Sequence, residues 1–148
     1  VTAVLRPAED TDLDEIVTIH LTARAAAPMP AGVHPEQQVR DWLAARLTVD
    51  EVWVAEVEGR VAAYARFTPT WLDDLYVAPQ SQRDGLGSAL LDLVKSLRPD
   101  GFGLWVFESN RPARAFYAQH GLVEVERADG SANEEHQPDI RMIWHPSN

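Results

Sequence analysis

Cysteine is missing from the 148 residues, which removes disulfides, thiolate nucleophiles and cysteine-ligated zinc together. Long apolar runs are missing too, since none approaches the roughly 20 residues that cross a bilayer. The start, VTAVLRPAEDTD, lacks a basic stretch followed by an apolar core, so no signal peptide is expected. A cytoplasmic protein away from membranes is the expectation. A basic surplus is also absent: the net charge of −10 argues against nucleic acid as a partner, because a phosphate backbone needs cationic surface. The acidity is uneven. Residues 81–120 carry five cations against four acids, so the negative excess lies outside them, either as solubilising surface or as an acidic entrance for a cationic substrate. The five histidines, His20, His34, His120, His136 and His145, form no His-x-x-x-His pair, and no metal site is expected. Repeats and Gly/Ser linkers are lacking as well, so residues 1–148 read as one domain with room for a core.

What is present is a change of hydrophobic period along the chain. TAVLRPA reads as a short strand, after which Asp10 or Thr11 can cap a helix whose Leu13, Ile16, Val17 and His20 recur at helical spacing. His20 on that stripe reads as a packing or rim residue. AAAPMPAGVHP, with three prolines and a glycine, is a loop. PEQQVRDWLAARL then makes a second helix. EVWVAEVEGRVAAYARFTPT holds two alternating runs meeting at Glu58-Gly59, the mark of a hairpin. WLDDLYVAP is a further strand. Leu86, Leu90, Leu93, Val94 and Leu97 define a third helix, GFGLWVFE a strand, and Asn110 with Pro112 the start of a fourth helix. LVEVERA and IRMIWH close the chain around the polar loop 128–139. This order predicts an α+β fold: a mixed, mostly antiparallel sheet of about seven strands flanked by about four helices.

The stretch QSQRDGLGSALL, residues 80–91, joins a strand to a helix through two closely spaced glycines. It is not a Walker loop, because no Lys follows either glycine. It is not a dinucleotide fingerprint either, because position 90 is Leu where a third glycine belongs. A shorter anion cradle remains, in which a helix start offers its unpaired amides to a pyrophosphate. A plain turn is the competing reading.

LDDLYVAPQSQRDGLGSALLDLV resembles the central motif of the GNAT superfamily of N-acetyltransferases, a strand, then [QR]-x-x-G-x-[GA], then a helix. Here it reads Gln82-Arg83-Asp84-Gly85-Leu86-Gly87. WVFESNRPARAFYAQHGLVEVE resembles the next motif of the same superfamily, and the two together span about residues 71–126. The resemblance implies a sheet whose fourth and fifth strands splay apart around acetyl-CoA. It implies that backbone groups of Leu75, Tyr76 and Val77 bond the pantetheine arm and that amides from Arg83 to Ser88 receive the pyrophosphate. Asp84 departs from the pattern, which more usually has Gly or a basic residue there; Arg83 and Arg114 could offset its charge.

The resemblance further implies direct attack of an amine on the thioester, with Tyr117 aligned to the tyrosine that serves the departing thiolate. Full proton transfer from a phenol near pKa 10 to a thiolate near 8.5 is uphill by about 2 kcal/mol, so hydrogen bonding is the more modest role. For the amine's proton, an ordinary aspartate is mismatched by about 9 kcal/mol. A carboxylate with a raised pKa, a water relay, or the small neutral amine population are the routes that remain. The candidates are Asp73 and Asp74, expected on opposite faces of the fourth strand, and Glu108 at the end of the fifth. Asn110 can cap its helix, bond the cofactor, or both. Trp42 and Trp71 could line a substrate slot. The expected activity is transfer of an acetyl group to a small-molecule, peptide or protein amine, and a homodimer is common among similar proteins. A non-catalytic acyl-CoA sensor and a binding domain unrelated to coenzyme A are the rival readings.

Overall fold

The computed structural model of the chain describes residues 2–146. Seven strands and four α-helices follow one another: β1 (Ala3–Pro7), α1 (Leu13–Ala26), α2 (Glu36–Arg46), β2 (Glu51–Val57), β3 (Arg60–Phe67), β4 (Leu72–Val77), α3 (Leu86–Leu97), β5 (Phe102–Phe107), α4 (Arg111–Gln119), β6 (Val123–Ala128) and β7 (Asp139–Trp144). The strands form two antiparallel ladders rather than one continuous sheet, in the orders β1-β2-β3-β4 and β5-β7-β6. Among the described residues one parallel bridge, Trp71 to Gly103, joins them where β4 and β5 begin, with Gly103 N donating to Thr70 O at 2.9 Å. Past that joint β4 and β5 separate.

Local chemistry explains most of these elements. The β2–β3 hairpin turns at Glu58 and Gly59, both at positive φ, the backbone a tight two-residue connection requires. The segment before α1 differs from the expected cap. Neither Asp10 nor Thr11 supplies it: Asp12 Oδ2 accepts from Glu9 N at 2.7 Å, while Arg6 grips both oxygens of Asp12 at 2.8 and 2.9 Å. That grip ties β1 to the start of α1.

Strand β3 is the centre of the molecule, buried from Val61 to Phe67. One face carries Ala63, Ala65 and Phe67 against the apolar stripe of α3, where Leu90, Leu91 and Val94 are sealed from solvent. Each such side chain contributes about 1.5–3 kcal/mol on burial. The other face carries Val61 and Tyr64 against Ile16, Val17 and Ile19 of α1 and Leu43 of α2. The core therefore leaves the gap between β4 and β5 unfilled.

Candidate active site

The divergence of β4 from β5 opens a cleft of about 740 Å³. Its walls come from the end of α1, from β4, from the turn into α3, from β5 and from the first two turns of α4. Strand β4 pairs with β3 on one edge only, and its other edge faces the cleft. Ala78 N donates to Ala62 O at 2.8 Å, and in the register Tyr64 lies opposite Tyr76 and Ala63 opposite Val77. Bonded and unbonded pairs alternate along an antiparallel ladder. Tyr76 thus spends its main-chain groups on Tyr64, whereas those of Leu75 and Val77 point into the cleft. Gln82 Nε2, lying over Val77 O at 3.4 Å, marks that carbonyl as outward. Of the three backbones expected to bond a ligand, Leu75 and Val77 are free to do so and Tyr76 is not.

The glycine turn closes one end. Gly85 has φ of 76° and precedes α3 directly, a conformation only glycine adopts without strain. As at any helix start, the amides of Leu86, Gly87 and Ser88 have no acceptor within the helix. Asp84 differs: its N–H is spent on Ser81 O at 3.2 Å, and its exposed side chain does not line the cleft. Leu86 packs in the core; its contribution is confined to its amide. Gln82, Arg83, Gly85, Gly87 and Ser88 do line the cleft. A Cβ at Gly87 would stand 3.4 Å from Phe116 Cζ, in van der Waals contact with α4.

Helix α4 begins at Asn110, whose Oδ1 accepts from Ala113 N at 3.4 Å, with Pro112 in the first turn where its missing N–H costs little. Asn110 also lines the cleft, so capping leaves it within reach of a ligand. Two turns on, Tyr117 lines the same cleft, and among the described residues its hydroxyl has no hydrogen-bond partner. Burial, reinforced by Tyr76 and Asp74, pushes its pKa well above that of a free phenol.

The acids separate sharply. Register breaks between Arg66 and Phe67, where Arg66 pairs with Asp74 and Phe67 with Leu72, so Asp73 is the extra residue of a β-bulge. A bulge re-aims the side chains of its strand. Asp73 and Asp74 consequently do not take opposite faces as expected; both reach Arg66, at 3.8 and 2.9 Å, and both line the cleft. Burial raises the pKa of Asp73, opposed by Arg66. Glu108 is displaced altogether: it pairs with Arg127, which holds its carboxyl below the usual range, and it borders a separate hollow beside Arg111 and Gln137. Trp71 is likewise no slot residue, because its ring packs on Gly103 at the strand joint.

A second chamber of about 620 Å³ lies between α1, α2 and the 129–138 loop, and it shares Arg24 and Asp74 with the first. Trp42, His20, Glu134 and Glu135 line it. Arg24 stands at the junction, donating to Tyr76 Oη at 3.0 Å and facing Glu135 at 3.5 Å. His34 reaches Glu134 at 2.8 Å, so two side-chain contacts hold the loop over the chamber. Behind it, His20 Nδ1 lies 2.8 Å from Tyr64 Oη, which donates to Asp74 Oδ2 at 3.0 Å. Tyr64 and Arg66 escaped the sequence reading, although they are the bulky polar side chains of the otherwise small-residue run VAAYAR.

Two ladders parting around a cleft, with free amides at a helix start and a tyrosine on the following helix, define the fold class of an acyl-CoA N-acyltransferase. A family model, Acetyltransferase (GNAT) family, matches residues 16–122, and the chain belongs to that family. It is 33% identical over 77 residues to the peptidyl-lysine N-acetyltransferase YiaC of Escherichia coli, covering 51% of this chain and 52% of that one. It is 36% identical over 74 residues to a probable N-acetyltransferase of Mycobacterium tuberculosis, covering 45% of this chain and 42% of that one. The matches thus span about half the length of these curated relatives. Among solved structures, a GCN5-related N-acetyltransferase of Rhodopseudomonas palustris superposes with a TM-score of 0.84 at 21% identity, over 99% of this chain and 97% of the other. The PaiA N-acetyltransferase of Thermoplasma acidophilum, in complex with coenzyme A, superposes with a TM-score of 0.79 at 16% identity, over 99% and 100%.

Proposed function

We propose that this chain is an acetyl-CoA-dependent N-acetyltransferase that transfers an acetyl group directly to a primary amine of a small molecule, peptide or protein. The observation that carries the reading is the cleft itself. It runs from the unspent amides of Leu86, Gly87 and Ser88, past the open β4 edge at Leu75 and Val77, to the unpartnered hydroxyl of Tyr117.

These groups fit a coenzyme A thioester in kind and order. A helix start with free N–H groups suits a diphosphate, and Arg83 and Gln82 beside it supply a cation and an amide. The main-chain groups of Leu75 and Val77 suit the amides of a pantetheine arm as an added strand would. Asn110, near the start of α4, offers one further polar contact. When bound, the thioester supplies the activated acyl group. Tyr117, kept protonated by burial, donates a hydrogen bond to the sulfur as negative charge develops there. Asp73 and Asp74 at the cleft wall, with Glu134 and Glu135 at the second chamber, give an approaching ammonium a favourable field.

Calorimetric titration with acetyl-CoA, followed by an amine panel assayed for free coenzyme A, tests the reading. Micromolar binding and thiol release with at least one amine are expected. No binding at high micromolar acetyl-CoA would remove it.

A further inference from the structure

We infer that His20 Nε2 is the group that takes the proton from the acceptor ammonium, with Tyr64 and Asp74 as positioning residues behind it; this rests on the transfer reading above. The inference starts from proton counting. Asp74 Oδ2 receives Arg66 Nε at 2.9 Å and Tyr64 Oη at 3.0 Å. A carboxylate beside Arg66 can only accept, so the single phenolic proton of Tyr64 goes to Asp74. The 2.8 Å contact between Tyr64 Oη and His20 Nδ1 must then be bridged by a proton carried on Nδ1. That fixes the imidazole tautomer and leaves a lone pair on Nε2, which has no protein partner among the described residues. Nε2 is not sealed, either: among described buried side-chain atoms only Arg46 Nε lacks a partner, and His20 lines the second chamber. A base held by one hydrogen bond and oriented by further groups behind it is a recurrent arrangement for nucleophile activation.

The competing groups are worse placed. Asp74 Oδ2 is engaged by two donors, Arg66 Nε and Tyr64 Oη. Asp73 lines the first cleft but lies beside Arg66, which opposes its taking up a proton. An unperturbed imidazole stands about 4 units below an alkyl ammonium, against about 6.5 for an unperturbed aspartate. Burial lowers the ring and raises Asp73, which narrows that difference, while the chamber's apolar walls (Leu21, Val39 and Trp42 among them) lower an ammonium held there as well. The charges around the ring come from every side: Arg24 from its own helix, Tyr64 and Arg66 from β3, Asp74 and Tyr76 from β4, and Glu134, Glu135 and His34 across the chamber. Burial dominates among them and keeps the ring neutral at pH 7, opposed by Asp74.

The balance closes as follows. The ammonium gives one proton to Nε2, and the freed nitrogen lone pair forms the C–N bond while the C–S bond breaks. The sulfur leaves with the electron pair, steadied by a hydrogen bond from Tyr117, which keeps its proton. The new amide nitrogen sheds its second proton, which neutralises the thiolate by way of solvent, and the imidazolium returns the first to solvent.

Nitrogen-15 NMR of the ring, without any substrate, reads the tautomer directly. At pH 7 we expect His20 protonated on Nδ1 only, with that preference lost in Tyr64→Phe; a proton on Nε2 in the native chain would overturn the inference. With substrates, His20→Gln should keep the acetyl-CoA Kd within twofold, lower kcat/KM by about 10²-fold or more, and abolish the acid limb of its pH profile. Imidazole should restore part of the rate in His20→Ala. An intact acid limb in His20→Gln, alongside wild-type turnover, sinks the base and spares the transfer reading. A native chain that binds acetyl-CoA yet acetylates no amine sinks both.

Discussion

Arg66 and Asp74 meet across the β3–β4 ladder, Nε to Oδ2 at 2.9 Å, each side chain only 7% exposed. The guanidinium also reaches Asp50 at 2.7 Å and lies 4.4 Å over the Trp42 ring. One arginine therefore binds the bulge of β4 to the end of α2 and sets the acidic corner shared by both chambers. Removing one partner of a buried pair strands the other, which costs about 3–5 kcal/mol. Because Arg66 keeps Asp50, Asp74→Asn should lose about 3 kcal/mol in urea denaturation at pH 7. Asp73→Asn, at a more exposed position, should lose less than about 1 kcal/mol.

Tyr117→Phe separates chemistry from packing. The ring stays and the hydroxyl goes, so turnover should fall by about 10²-fold while the acetyl-CoA Kd changes little by calorimetry. Since burial holds this phenol above its ordinary pKa, no basic limb from Tyr117 should appear in the native profile up to about pH 10. Equal losses in turnover and affinity would mark Tyr117 as a packing residue.

Glu108→Gln should leave turnover within twofold of native, because the carboxylate faces Arg127 and a different hollow. A hundredfold loss in the coenzyme A release assay would return it to the site.

Two glycines should respond differently to a methyl group. At Gly85 nothing stands within 4 Å of an added Cβ, so Gly85→Ala should cost about 1 kcal/mol from the left-handed backbone alone. At Gly103 the Cβ would sit 3.0 Å from Trp71 Cζ3, where overpacking costs about 1–3 kcal/mol. Thermal denaturation of the two variants should rank Gly103→Ala as the more damaging.

Stability should also follow His20. Its folded pKa is lowered by burial, so below about pH 6.5 the unfolded chain binds more protons than the folded one. Stability is whole above about pH 6.5 and declines as pH falls toward the folded pKa. The urea midpoint should drop between pH 7 and 5, and His20→Gln should flatten that slope. Exposed His34, raised by Glu134, acts in the opposite direction, so His34→Gln should steepen it.

Element identity was legible in the sequence because it depends on near neighbours: period-two runs for β2 and β3, a three-and-four spacing for α3, Asn110 and Pro112 at a helix start. The glycine motif and Tyr117 carried the family likeness, and both line one cleft. Three things needed the folded chain. The bulge at Asp73 depends on a one-residue mismatch between β3 and β4, which no single strand records. The separate fates of Tyr76, with its backbone spent on β3, and of Leu75 and Val77 follow from ladder phase rather than residue type. And His20, 44 residues from Tyr64 along the chain, became a poised base only through a contact between α1 and the central strand. Composition and spacing decide what each segment forms; register and long-range packing decide which lone pairs are left over, and in this cleft the leftover groups are the chemistry.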